Sequence, residues 1–536
     1  MGGLAGHMDH PYERMDLTFN DIADALQGVL NGSIEITEKI DGQNIFFTGG
    51  RFAEVGSEDE IADVQAKVSV NPDGSVRIFD VNADQKDVKA ILARNKGQAS
   101  KVGMTTEEMS EQLLSAEKVV QDYIFGEGGS VLEAVLKSMP PEVIREVFGT
   151  FPGTYINTEI VIADKPNILK YNKNLIVFHG ISPLETSPSP VGIDRGTIQV
   201  GEATPQEGKR LFNLFISNLP ETAVKSRSGQ EFKAIGPQVL DLPITRLSTD
   251  NQGAESTTVE GGSDLSAAFQ TCTSLIQNIR DFPNIAVGES TLGQTYGITA
   301  DSRIGEYVVS FVKAKIKTIP ESSSLSDNDI LVLATFAADH DMKSKEARAE
   351  MGIKESRYSA KKHGPREKLI FELTKTTDKT LTNFYKEALR PLVGLTFKFG
   401  LALLNTTQSV IADDAPRIAA VLREMIKKAE SEVRPDLAPD VAEKFDAQMK
   451  LLKSGVTLDS MNVSLEGAVL EYPPGSGHGI KLTGAFAPLN QMINVMGFEA
   501  AAKLMKAAEE DLDAQPQNIS EVGLRKLIRG LLLGIR

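Results

Sequence analysis

The segment TEKIDGQN at 37–44 places a lysine, an aspartate and a glycine between two apolar, β-branched stretches. An amine is nucleophilic only when neutral, so a site that uses Lys39 for attack must lower its pKa by burial or by neighbouring positive charge. Further charged and aromatic residues recur downstream in short apolar settings: Arg94 in ARNKGQ, Glu159 in YINTEIV, Phe178 in NLIVFHGI, Glu466 in LEGAVL and Lys481 in GIKLTG. Each has an ordinary alternative. An isolated strand lysine is a solvated surface group, Phe178 a core aromatic and Glu466 a surface carboxylate.

Taken in order, these segments resemble the covalent nucleotidyltransferase superfamily of polynucleotide ligases and mRNA capping enzymes, whose signature K-x-D-G is matched by Lys39-Ile40-Asp41-Gly42. The resemblance implies that Lys39 attacks the α-phosphate of ATP, with Asp41 and Lys481 also catalytic. It puts Glu38 where the family reads adenine, Arg94 on ribose or substrate phosphate and Glu159 on ribose. Phe178 would stack on the base, Gly42 would lie against the nucleotide, Glu466 would help hold a catalytic Mg²⁺ or Mn²⁺, and Lys481 would contact the α-phosphate. Arg51 in TGGRF competes with Arg94 for the arginine role. Thr483 stands where many members carry a second lysine, and the roughly fifty residues after Lys481 leave no room for an OB barrel. That layout is most similar to phage-type RNA ligases.

The expected function is ATP-dependent sealing of 5′-phosphate and 3′-hydroxyl RNA ends through lysyl-AMP, with RNA ends preferred over nicked DNA. The expected protein is a monomer in the cytoplasm, the host's if phage-encoded, as an RNA-repair enzyme would be. The alternatives are an ATP-dependent DNA nick ligase, a GTP-using capping enzyme, and a noncatalytic nucleic-acid-binding protein on an inactive ligase fold.

These residues need sheets to position them. The expected fold is α+β: a ligase-type domain of antiparallel sheets with flanking helices, a large helical insertion and a helical C-terminal region. Residues 34–48 alternate as one half-buried strand, with strands also at 67–70, 76–79, 154–162, 175–181 and in 456–484. Thr18 with Asp21, and Thr105 with Glu108, have the spacing of helix N-caps. The expected domains are 1–200 (first part of the catalytic domain), 201–264 (a linker region rich in Pro, Ser, Thr and Gly), 265–455 (the helical insertion), 456–490 (the last motifs) and 491–536 (the helical end).

Length and composition fit a soluble chain of two or three domains. A single cysteine, Cys272, excludes an intrachain disulfide and a thiolate zinc cluster, and points to a reducing compartment. The opening residues lack the pattern of an export signal, and the most apolar run, 391–404, is broken by Lys398, so no membrane partner is expected. A net charge of −16 argues against binding nucleic acid through bulk charge. A polyanion would have to meet a local basic surface, at KESRYSAKKHGPREK (354–368) or at RKLIRGLLLGIR (525–536). His7 and His10 are read as packed or mobile, and the glycine-rich FGEGGS (125–130) and GSGHG (475–479) as turns.

Overall fold

Lys39 closes one strand and Gln43 opens the next, and the two strands belong to different sheets. The computed structural model describes residues 8–40, 42–55, 68–70, 76–80, 85–94, 103–116, 118–149, 154–164, 171–181, 204–245, 247, 265–339, 342–354, 357–359, 362–375, 377–407, 409–411, 424–436, 442, 446, 465–476, 478–483, 504, 507–508 and 511. Asp41, Lys361, His7, residues 95–98, the stretch 248–264 and the basic end of the chain lie outside them. The architecture is mixed α+β.

The chain forms two units, Met1–Asp413 with Leu465–Gly484, and Asp414–Ser464 with Ala485–Arg536. In the first, helix α1 (Phe19–Leu30) begins on Thr18, whose hydroxyl accepts from the Asp21 N–H while the Asp21 carboxylate returns to the Thr18 N–H. It ends at Asn31, and Gly32 follows with φ +76°. Strand β1 (Ile36–Lys39) then pairs with β12 (Gly467–Glu471), and β12 with β13 (Gly479–Thr483), in a three-stranded antiparallel sheet.

The larger sheet starts with β2 (Gln43–Val55). It runs β3 (Val68–Val70), β4 (Val76–Asp80), β2, β6 (Ile156–Val161), β7 (Asn174–Ile181), β9 (Glu231–Ile235), β8 (Val224–Lys225), with β5 (Lys89–Ala93) also on β2. Its described pairings are antiparallel except β7–β9.

Each sheet has its own core. The large sheet turns Ile45, Phe47, Ile156, Ile160, Ile176 and Phe178 toward helices α2 (Thr106–Ser115), α3 (Val119–Ser138), α4 (Pro141–Gly149) and α5 (Pro205–Ile216). The small sheet turns Ile36, Ala468, Leu470, Ile480 and Leu482 into a core shared with α1 and most of the helical region 265–404. That region comprises α6 (Leu265–Arg280), a short hairpin of β10 (Ala286–Val287) and β11 (Ser290–Thr291), then α7 (Leu292–Tyr296), α8 (Ile304–Ile316), α9 (Asp327–Ala338), α10 (Ser344–Glu350), α11 (Pro365–Leu373) and α12 (Thr380–Leu404). Phe19, Phe282 and Tyr307 stack and tilt against one another inside it, and the buried Tyr307 hydroxyl donates to the Ala388 carbonyl at 3.0 Å. Among the described residues no helix is long and apolar enough to cross a membrane.

In the second unit the helical turns 424–436 bury Met425 and Ala429. Lys428 pairs with Asp511 at 2.6 Å, and Arg434 pairs with Asp446 through two bonds of 2.6 and 2.7 Å.

Two expectations need correction. Residues 34–48 are not one strand: β1 ends at Lys39 and β2 begins at Gln43, in a different sheet. FGEGGS at 125–130 is not a turn but the middle of α3. A Cβ at Gly128 would come within 2.8 Å of Ile160 Cγ1 on β6, and one at Gly129 within 2.6 Å of the Thr106 hydroxyl on α2, so these glycines let the helix lie close to its neighbours. Gly126 faces only Ser110 Oγ at 3.6 Å. Gly128→Ala should therefore destabilise the protein by about 1–3 kcal/mol through overpacking. Gly126→Ala should be neutral or stabilising by up to about 1 kcal/mol. Urea titration of the two variants measures both, and equal effects would contradict the close packing.

Candidate active site

The small sheet sorts its side chains by alternation. In register, Lys39 lies opposite Gly467 and Gly467 opposite Thr483, while Thr37 lies opposite Val469 and Val469 opposite Lys481. Lys39, Lys481 and Thr483 therefore share one face. Glu38 shares the other with the apolar residues of the first core. The Lys39 amine makes an ion pair with the Glu466 carboxylate, the two side chains being 23% and 19% exposed. Residues 427 apart in sequence thus meet because β1 and β12 are neighbours.

Gly467 makes that meeting possible. A Cβ there would collide with the Leu482 carbonyl of β13, so only a glycine fits between Glu466 and the rest of the strand.

Lys481 is half-buried. Burial lowers its pKa below the ordinary lysine value; the carboxylates of Glu13, Asp9 and Glu466 oppose that shift, and the positive charge of Lys39 adds to it. The segment before α1 lies alongside. Asp9 bridges to Ile480 and accepts from the Lys481 N–H at 2.9 Å, while His10 stacks on Tyr12 and puts Nδ1 3.3 Å from the Thr483 hydroxyl. His10 is thus packed beside Thr483 at the end of β13.

Ile40, fully buried, carries the chain away from this sheet. Gly42 then comes to rest against β6: a Cβ on it would lie 2.9 Å from the Ile160 carbonyl and 3.2 Å from Glu159 Cβ. The crossover therefore brings the lysine segment onto the strand that carries Glu159. On that face of the large sheet Asn44 pairs opposite Glu159 and donates to Asn157 at 2.5 Å, and Glu159 Oε2 meets His179 Nε2 at 2.7 Å.

Arg94 follows Ala93, which pairs with Phe46, so Arg94 lies near the Gly42 end of β2. Its guanidinium sits 5.2 Å from the Phe125 ring centroid. Arg51 lies nine residues beyond Gly42, about 30 Å along the strand, where it pairs with Asp80 at 3.0 Å. Arg94 is thus nearer the crossover than Arg51, but its register opposite Ile45 and its contact with the core ring of Phe125 put its side chain on the helix side of the sheet rather than on the Glu159 face.

Two further sequence expectations do not match the placement of the side chains. Phe178 is fully buried, with ring centroids 4.9 Å from Phe215 and 5.7 Å from Phe47, and faces the helices rather than the Glu159 face. It is a core ring, and its neighbour His179 occupies the site face. Glu38 is 2% exposed and turned away from Lys39. Its carboxylate accepts from the Ser409 hydroxyl at 2.5 Å and the Val410 N–H at 2.8 Å, just after α12 ends. It anchors that loop, and burial raises its pKa despite these donors.

His179, Asn157 and His10 were missed. His179 had a signal, since period two puts either Phe178 or His179 on the site face. Asn157 and His10 depend on long-range pairing. Among the described residues no group of three or more His, Cys, Asp or Glu is arranged to hold a metal ion. Comparison with protein-family models, curated proteins and solved structures finds no match.

Phe178→Ala should lower the unfolding free energy by about 3–5 kcal/mol, as loss of a core ring does. A urea titration showing less than about 1 kcal/mol would return the ring to an exposed role. For Glu38, a raised folded-state pKa means that the folded chain holds more protons than the unfolded one just above the ordinary glutamate value, so stability declines as pH rises through that window. Glu38→Gln should remove this decline in urea titrations between about pH 4 and 7. An unchanged slope would contradict the assignment.

Proposed function

We propose that the chain is an ATP-dependent RNA ligase that joins 5′-phosphate to 3′-hydroxyl ends. The observation that carries this reading is the convergence of four sequence-distant segments: Lys39 pairs with Glu466, shares a sheet face with Lys481, and connects through Gly42 to the strand of Glu159.

The chemistry follows from those groups. The Lys39 amine attacks the α-phosphorus of ATP, a P–N bond forms, the bond from that phosphorus to the bridging oxygen breaks, and pyrophosphate leaves. The amine must first lose its proton. Lys39 forms an ion pair with Glu466. Lys481, on the same face, offers a cation to the charge that grows on the phosphoryl oxygens. Mg²⁺ characteristically uses one or two carboxylates plus substrate phosphates, and Glu466 fits as its protein ligand here. Such an ion would draw the Glu466 charge away from Lys39 and stabilise the negative charge on the phosphates.

On the other wall, Glu159 and His179 form a hydrogen-bonded pair suited to sugar hydroxyls. AMP then passes from Lys39 to an RNA 5′-phosphate, and the 3′-hydroxyl displaces it to seal the strand.

The test is incubation with Mg²⁺ and each α-labelled nucleoside triphosphate in turn. Label from ATP should survive acid denaturation and vanish in Lys39→Ala. Lys39→Arg should also abolish it, because a guanidinium stays protonated. Glu466→Gln should slow labelling by about 10²-fold or more while leaving the fold intact. The adenylylated chain, offered nicked RNA, single-stranded RNA and nicked DNA, should seal RNA. Label from GTP alone, sealing of DNA alone, or no label would each overturn the reading.

A further inference from the structure

One segment of the helical region carries positive charge that the proposed catalysis does not use. Between Lys343 and Lys375 the sequence holds ten lysines and arginines against five glutamates, in a chain of net charge −16.

Two of these cations have structural roles. Arg366 grips the buried Asp329 through two bonds of 2.8 and 2.5 Å and donates to the Met351 carbonyl. Arg348 lies 5.0 Å over the Phe371 ring and bonds the Thr374 hydroxyl. By contrast Lys354, Arg357 and Lys362 are exposed. The same stretch of sequence contains an aromatic stack: the buried Phe371 ring carries His363, with centroids 5.1 Å apart, and Tyr358 lies nearly parallel to His363 at 5.7 Å and 24°. Tyr358 is itself 37% exposed, one of few large hydrophobic side chains on the described surface.

We propose that this segment binds single-stranded nucleic acid, with a base stacked on Tyr358 and phosphates met by Lys354, Arg357 and Lys362. A ring backed by His363 and Phe371 loses little side-chain entropy when a base settles on it. Exposed cations a few residues from a stacking ring supply the combination by which single strands are held without reading sequence. Confinement of the charge to one segment also explains how an acidic chain can meet a polyanion at all. The inference deepens the ligase reading by saying where the polynucleotide lies, and rests on that reading for RNA as the strand.

The experiment is fluorescence anisotropy of the full-length chain with a labelled single-stranded oligoribonucleotide, repeated at several salt concentrations, with duplex RNA and polyglutamate as competitors. The single strand should bind and should be displaced by unlabelled single strand well before duplex or polyglutamate displaces it. Tyr358→Ala should weaken binding by about 5- to 150-fold at unchanged salt slope, with Tyr358→Phe restoring it. Lys354→Gln and Arg357→Gln should each lower the slope by about 0.7.

Three results overturn the proposal: no binding by the wild-type chain, no effect of Tyr358→Ala, or displacement by polyglutamate as effective as by RNA, which would mark a dock for an acidic protein. Labelling of Lys39 by ATP needs no polynucleotide and should stay at the wild-type level in every variant, which also reports that each is folded. If the wild-type chain binds RNA here yet takes no label, the ligase reading fails and this one stands.

Discussion

The passage of the backbone from one sheet to the other across residues 40–42 is the constraint on which the rest of the site depends. A strand that continued straight from Lys39 would leave the lysine on one sheet and Glu159 on another with nothing to relate them. Instead Ile40 is buried and Gly42 lies so close to β6 that a methyl group would strike the Ile160 carbonyl. The position of the Lys39 backbone is thereby fixed from both sides, by β12 through backbone pairing and by β6 through contact. Gly467 plays the corresponding part on the partner strand, where the missing side chain lets β13 close on β12 beside Glu466.

Electrostatics within the site follow from that geometry. Lys39 and Lys481 lie on one face of a small sheet, a placement that raises local potential and is tolerated because Glu466, Glu13 and Asp9 lie nearby. The opposite face is apolar apart from Glu38, which needs donors from the loop after α12 to be buried there. The two faces of one four-residue strand thus do different work: the even-numbered residues anchor the helical region, and the odd-numbered ones point toward the phosphate chemistry proposed above.

Much of this was legible in the sequence, and the failures have definite causes. The helix caps at Thr18 and Thr105 formed as their spacing indicated, because a cap depends on residues three apart. Strands β6 and β7 also fell where their β-branched runs put them. The pairing of Lys39 with Glu466 could be suspected only from the order of the motifs, since nothing local relates residues on distant strands. The alternation read over Ile34, Ile36 and Ile40 did not show the sheet change, although the apolar phase passes from even positions to odd ones at Ile45 and Phe47. Period-two alternation also left Phe178 and His179 as equal candidates, and the choice between them was made by the packing of Phe47, Phe148 and Phe215 beneath the sheet. The glycines of 125–130 misled for a related reason: turn chemistry and close helix packing favour the same residue.

The most direct test of the account is to locate the attached nucleotide. After reaction with ATP and Mg²⁺, proteolysis and mass spectrometry should find AMP on the peptide that contains Lys39, at that residue, in the wild-type chain. AMP on another side chain, or a modified peptide that persists in Lys39→Ala, would contradict the claim that this crossover holds the nucleophile.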